Sequence, residues 1–147
     1  MSERVAIRFV RLRPEAKAPH RATAGASGYD IYACLPDGGF LDVGTDPVRV
    51  PTGIAIEAPP GWDVQSRPRS GLAAQGVLSV FGTVDPDYRG EIFVTMYTIG
   101  RRPPHRVQHG DRIAQLVVAR VAEAVWREVE QLSETERGSG GYGSTGR

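Results

Sequence analysis

Cysteine is almost absent from this 147-residue chain: Cys34 stands alone. A single thiol excludes an internal disulfide framework and a cysteine-built metal site. Lysine is equally scarce, because Lys17 is the one lysine among 18 basic residues and the rest are arginine. Guanidinium groups suit bidentate phosphate recognition, although a compositional bias of the source genome would account for most of such an excess. Charge of one sign is lacking too. A formal net charge of +1 gives no footprint for sequence-independent nucleic-acid binding. No apolar run approaches the length of a membrane span. The N-terminal arginines lack the apolar core and small-residue cleavage site of a secretory signal. The expectation is a cytoplasmic protein with neither nucleic acid nor membrane as partner. Long amphipathic helices are missing as well, since no window sustains the 3.6-residue periodicity that they need.

What the chain does contain is a succession of short β-prone runs. Hydrophobic residues make up 40% and charged residues 24%, the balance of an ordinary globular domain large enough for a real core. RVAIRFVRL (4–12) alternates apolar and polar, as a half-buried strand does. YDIYACL, FLDV and VRV follow between Gly- and Pro-rich breaks, and PTGIAIEAPPGWDVQS (51–66) reads as strand, PPG turn, strand. HGDRIAQLVVARV (109–121) is a turn running into a buried strand, with Arg112 and Gln115 as its polar exceptions. AVWREVEQL alternates enough for one more strand, though Glu128 and Glu130 would tolerate a helix. Frequent short strands with such turns predict an all-β sandwich or barrel. The best helical candidate is SGLAAQ (70–75), only a turn or two long, with Ser70 as N-cap.

Four stretches carry candidate chemistry. GTVDPDYRGEI (82–92) lies between GVLSVF and IFVTMYTI and reads as a hairpin. Asp85 enters its turn and Tyr88 leaves it. One carboxylate and one aromatic ring beside open backbone groups would suit a nucleotide pocket; an Asp–Pro–Asp turn with a core tyrosine is the plainer alternative. PRSGLA (68–73) reads either as a phosphate cradle, with guanidinium, hydroxyl and helix-start amides, or as a surface helix with a charged approach. Asp30 sits inside an apolar-aromatic segment, where a carboxylate needs a partner or exposure. RGSGGYGSTGR (137–147) holds five glycines and no aliphatic residue. By composition it is a flexible tail, and Arg137, Tyr142, Ser144 and Thr145 could also make it a lid over an anion and a base. The chain thus divides into a β-domain over 1–136 and the tail over 137–147.

Taken together, ASGYDIYA (26–33), PRSGLA (68–73), GTVDPDYRGEI (82–92), GDRIAQL (110–116) and RGSGGYGSTG (137–146) resemble the five motifs of the trimeric all-β deoxyuridine triphosphatases (dUTPases), in that family's order. PTGIAIEAPPGW (51–62) resembles the family's strand before the second motif. The resemblance implies a homotrimer of barrel-like or jelly-roll-like subunits, each with one short helix, and active sites shared between subunits. It implies hydrolysis of dUTP to dUMP and pyrophosphate with Mg²⁺, which supplies dUMP for thymidylate synthesis and keeps uracil out of DNA.

On this resemblance Asp85 activates the attacking water and Tyr88 lies under the deoxyribose. Arg69, Ser70, Gly71 and Gln115 bind phosphates, and Asp30 reaches Mg²⁺ through water or holds its arginine-rich surroundings in place. Ser79, Thr83, Val84 and Phe93 line the nucleoside. Arg137, Tyr142, Gly143, Ser144 and Thr145 close over the γ-phosphate and uracil. Two departures are local: Ser79, Val80 and Phe81 stand where many members read Asn-x-Pro-Gly before and at Gly82, and the spacing from Ser70 to Asp85 is slightly shorter than the family's; in the tail, Tyr142 stands where Phe is common. The related dCTP deaminases carry a glutamate base ten residues after the hairpin aspartate, where this chain has Thr95. A non-catalytic nucleotide-binding protein on the same scaffold is the reading from another class, and an intact Asp85 and tail argue against it.

Overall fold

A computed structural model describes residues 3–146. Among them are eleven strands and a five-residue helix. In chain order these are β1 (Arg8–Arg11), β2 (Tyr29–Tyr32), β3 (Phe40–Val43), β4 (Val48–Pro51), β5 (Ile54–Glu57) and β6 (Trp62–Arg67). Then come α1 (Ser70–Ala74), β7 (Val77–Ser79), β8 (Gly82–Val84), β9 (Phe93–Thr98), β10 (His105–Gln108) and β11 (Arg112–Arg120). The all-β expectation with one short helix holds. Every strand pair is antiparallel, in four small sheets: β2-β11-β6-β8, β4-β9-β7, β1-β5 and β10-β3. Their inner faces enclose one core in which Ile31, Val50, Ile54, Val64, Met96 and Ile113 are fully buried. Alternation drives this: along β9 the residues Val94, Met96 and Thr98 face inward while Phe93, Thr95 and Tyr97 do not.

Four local expectations fail. The strand expected over 4–12 shrinks to Arg8–Arg11, and all four of its residues are exposed. It pairs only with β5, so it is a sheet edge with no second layer over it. AVWREVEQL forms no strand; residues 121–139 are exposed throughout, with Trp126 93% accessible. A strand needs a ladder partner for its backbone groups, and none within the described chain lies beside this segment. Ser70 is not the N-cap of α1. Arg69 holds that position in an extended conformation, and no side chain caps the helix.

The fourth correction concerns the central motif, which is not a hairpin. β8 pairs with β6, whereas β9 pairs with β4 and β7. The 85–92 segment is therefore a crossing between two sheets. β7 starts along β9, its ladder ends near the bond from Val80 N–H to the Thr95 carbonyl, and the chain then splays away into β8.

β11 carries a bulge between Arg112 and Ala114. Ile113 and Ala114 are consecutive in sequence yet both buried. The extra residue breaks strict alternation. It turns Ile113 into the core and leaves Arg112 on the same side as Gln115.

Candidate active site

Three neighbouring strands assemble a polar pocket. In the ladders, Gln115 of β11 stands opposite Asp30 of β2 on one side and Arg67 of β6 on the other. Just beyond Arg67 the chain turns into α1, so Arg69, Ser70 and Gly71 arrive beside Asp30 and Gln115. Arg69 Nε donates to Asp30 Oδ1 at 3.1 Å. Arg112 Nη1 lies 3.7 Å from Asp30 Oδ2. One carboxylate, 14% exposed, is thus flanked by two guanidinium groups, which answers the question of how an apolar strand tolerates Asp30 and leaves the pocket with surplus positive charge. Gln115 Nε2 donates to the Pro68 carbonyl at 2.9 Å and ties β11 to the approach of the helix. The first amides of α1 have no intrahelical acceptor, because the first helical bond runs from Ala73 N–H to the Arg69 carbonyl. Guanidinium groups, free amides and a hydroxyl converge in the way an oligophosphate requires. Arg112 was seen in the sequence only as a polar exception; the bulge that aims it here has no local sequence mark.

Asp85 and Tyr88 lie elsewhere. β8 runs antiparallel to β6, with Ser66 opposite Gly82 and Val64 opposite Val84. Asp85 therefore leaves the sheet near the start of β6, and Arg69 leaves it past the end. At about 3.3 Å per residue the two are separated by roughly 15–20 Å within one chain. Tyr88 N–H donates to the Asp85 carbonyl at 3.0 Å and closes the turn. Asp85 is exposed and has no ion-pair partner among the described residues. The Tyr88 phenol donates to the Glu91 carbonyl at 2.7 Å. Arg89 braces the same turn, donating from Nη1 to the Pro86 carbonyl and from Nη2 to Glu57 Oε1 at 2.9 Å.

The remaining expected residues are scattered. Thr83 and Val84 are on β8, beside the turn. Phe93 opens β9, with the Arg49 guanidinium 4.2 Å above its ring. Ser79 is buried at the end of β7, and its hydroxyl has no partner; such an orphan usually awaits water or a ligand. Arg137, Tyr142, Gly143, Ser144 and Thr145 are exposed, and among the described residues the tail's hydrogen bonds run only to itself and to nearby Thr135, such as Arg137 Nε to the Gly140 carbonyl at 2.8 Å. One chain brings Asp30, Arg69, Ser70, Gly71 and Gln115 together and leaves Asp85, Tyr88 and the tail apart.

The sequence profile of the dUTPase family matches residues 14–146. The chain belongs to the dUTPase family. It is 48% identical over 131 residues to the deoxyuridine 5′-triphosphate nucleotidohydrolase of Desulfotalea psychrophila, which covers 87% of this chain and 86% of that protein. Its fold is similar to that of a variant dUTPase of Staphylococcus bacteriophage 80alpha solved with dUpNHpp, with a TM-score of 0.81 and 23% identity over 97% of this chain and 99% of the other. A variant dUTPase of the S. aureus phage phi11, described with a structural Mg(II) ion, matches with a TM-score of 0.70 and 19% identity over 86% and 97% of the two chains.

In this dUTPase-family fold Gly28 has a steric reason to be glycine. A Cβ there would overlap Gln115 Oε1 and lie 2.8 Å from its Cδ and 3.1 Å from its Cβ. Gly28→Ala should push Gln115 off the Pro68 carbonyl and into the pocket. Overpacking of this kind costs about 1–3 kcal/mol. The expected outcome is a lower Tm together with weaker binding of inorganic triphosphate by calorimetry. A lower Tm with unchanged triphosphate affinity would separate Gln115 from the pocket's function.

Proposed function

We propose that the protein hydrolyses dUTP to dUMP and pyrophosphate, as a homotrimer whose sites each combine groups from different chains. The observation that carries the shared site is the distance between its halves. The charged pocket and the Asp85–Tyr88 turn sit toward opposite ends of β6, which favours a site completed by a neighbouring chain. A closed oligomer brings unlike surfaces of neighbouring chains together.

The roles are those that the resemblance to the dUTPase family implies, and each side chain's chemistry suits its role. Arg69, Arg112, the amides of Ser70 and Gly71, and Gln115 spread the charge of the triphosphate. Asp85, exposed and without an ion-pair partner among the described residues, is free to hold one water and take its proton as that water attacks the α-phosphorus in line. Tyr88 lies against the deoxyribose, where a 2′-hydroxyl would be crowded. The unpartnered Ser79 hydroxyl, with Thr83, Val84 and Phe93, faces the base. The tail closes by setting Arg137 and the Ser144 and Thr145 hydroxyls on the γ-phosphate, with Tyr142 stacked on uracil and Gly143 allowing the approach.

Mg²⁺ suits this donor set. Among the described residues no group of three or more His, Cys, Asp or Glu is arranged to hold a metal, and Asp30 is the one carboxylate lining the pocket. Magnesium is commonly bound by one or two carboxylates plus substrate phosphates and waters, so Asp30 would hold it through water. When bound, the ion would neutralise charge on the phosphates.

The test is a substrate panel with Mg²⁺. dUTP should give dUMP and pyrophosphate, while dCTP, dTTP and UTP turn over poorly. Ammonia from dCTP, or dTTP turnover equal to that of dUTP, would refute the reading. No described helix is long and apolar enough to cross a membrane. A cytoplasmic location is part of this reading.

A further inference from the structure

The Asp85–Tyr88 turn is anchored by groups outside the proposed chemistry. Glu91 follows the turn with its side chain only 10% exposed, and its Oε1 lies 2.6 Å from Nη2 of Arg13, whose side chain is 35% exposed. The alignment is that of a contact ion pair rather than a directed hydrogen bond. Arg13 belongs to the loop after β1, which folds back where Leu12 N–H donates to the Gly53 carbonyl. Both charges are mostly withdrawn from water, where such a pair is screened much less than on the surface.

The main chain links this pair to the aromatic ring. The Glu91 carbonyl and the Ile92 N–H share one planar peptide and point in opposite directions. Ile92 N–H donates to the Ile54 carbonyl at 2.9 Å, so the Glu91 carbonyl is turned outward. There it accepts the Tyr88 phenol at 2.7 Å. The ring crosses Gly90 so closely that a Cβ at that position would lie 2.6 Å from Tyr88 Cζ. Tyr88 is thus held at its phenol, along its ring and at its backbone. The peptide that receives the phenol is fixed by Ile54 at one end and by the Arg13–Glu91 pair at the other.

We propose that Arg13 and Glu91 are positioning residues for sugar selection: their ion pair seats the peptide that orients Tyr88, and so sets the preference for 2′-deoxyribose over ribose. This rests on the reading of the protein as a dUTP hydrolase with Tyr88 against the sugar. Neither residue touches the nucleotide. Their effect passes through the angle and rigidity of one ring, so it should fall on substrate discrimination and on KM before kcat.

The experiment compares Arg13→Met, Glu91→Gln, the double variant and Arg13→Lys. For each, kcat and KM are measured with dUTP and UTP, and Tm is recorded. Each single variant should lower the dUTP-to-UTP ratio of kcat/KM by roughly five- to tenfold, the size of a coupling between contacting residues. The double variant should be no worse than the poorer single one. Arg13→Lys keeps the charge and should restore most of the ratio. A lower Tm with an unchanged ratio in both single variants would make the pair merely structural and overturn the proposal. If Glu91→Gln does not fold, Arg13→Met in its loop carries the measurement alone.

A readout independent of turnover is tryptic cleavage after the exposed Arg89, followed by mass spectrometry. It should be faster in Arg13→Met than in the unmodified chain, and equal rates would overturn the seating. An unmodified chain that fails to hydrolyse dUTP would instead overturn the functional reading, whatever the cleavage rates.

Discussion

Asp85→Asn should lower kcat for dUTP by about 10²–10⁴-fold, the usual cost of losing one positioned general base. The carboxamide keeps the size and planarity of the carboxylate but cannot take a proton from water. The turn should survive the change, because it is closed by the Asp85 backbone carbonyl, which accepts from Tyr88 N–H. Asp85 is exposed and unpaired among the described residues, so its charge carries no ion pair that the fold would miss. Tm should stay close to that of the parent. A non-hydrolysable dUTP analogue should bind with nearly unchanged affinity, since the phosphate-binding groups lie at the other end of β6. Stopped-flow or steady-state kinetics with calorimetric binding would separate these quantities. A variant with near-parental kcat removes Asp85 from the role; a variant that loses analogue binding as well assigns it to binding instead.

The second large effect concerns residues 137–147. A chain ending at Glu136 should lose most of its turnover, because Arg137, Ser144 and Thr145 would no longer reach the γ-phosphate. The more telling experiment mixes two nearly inactive chains: Asp85→Asn with its tail, and the truncated chain with Asp85 intact. The linker over residues 121–136 runs exposed from the end of β11, and at 3.3–3.6 Å per residue it can extend roughly 50 Å, enough to leave its own barrel. Co-refolded at equal amounts, the two chains assort at random. If the turn and the tail of each site come from different chains, about a quarter of sites regain both parts. If both come from one chain, no site recovers, since neither chain carries both. Activity well above that of either component supports sharing. A mixture proven by native mass spectrometry to be hetero-trimeric, yet as inactive as its components, would refute it.

The parts of this molecule that depend on near neighbours could be read from the chain. Short strands between Gly and Pro breaks follow from local pattern, and so does Gln115 as a polar exception within an apolar strand. The group around Ser70 was also legible, down to the helix, although the cap moved to Arg69. What escaped reading depends on pairing at a distance. β8 and β9 are joined by an ideal turn sequence, yet each finds a better partner elsewhere, β8 on β6 and β9 on β4 and β7. AVWREVEQL has the alternation of a strand, but alternation records which side chains want cover and cannot supply the second strand. Asp30 was legible as a carboxylate in need of a partner, but which arginines answer it was not. Arg13 and Glu91 meet through folding alone, and nothing in either segment names the other.

The bulge in β11 makes length, rather than residue identity, the tightest constraint on that strand. Arg112 faces the pocket and Ile113 the core only because one extra residue is spent between Arg112 and Ala114. Deleting any single residue from 112 to 114 would restore plain alternation, at the cost of Ile113 or Ala114 in the core or of an arginine in the pocket. Inserting one beyond the bulge would send Ala114 outward or Gln115 inward. The exposed loop at Asp37–Gly39 has no such parity to protect. Homologous chains of this family should therefore gain and lose residues freely between strands, while the stretch from Gly110 to Leu116 keeps its count even where its letters drift.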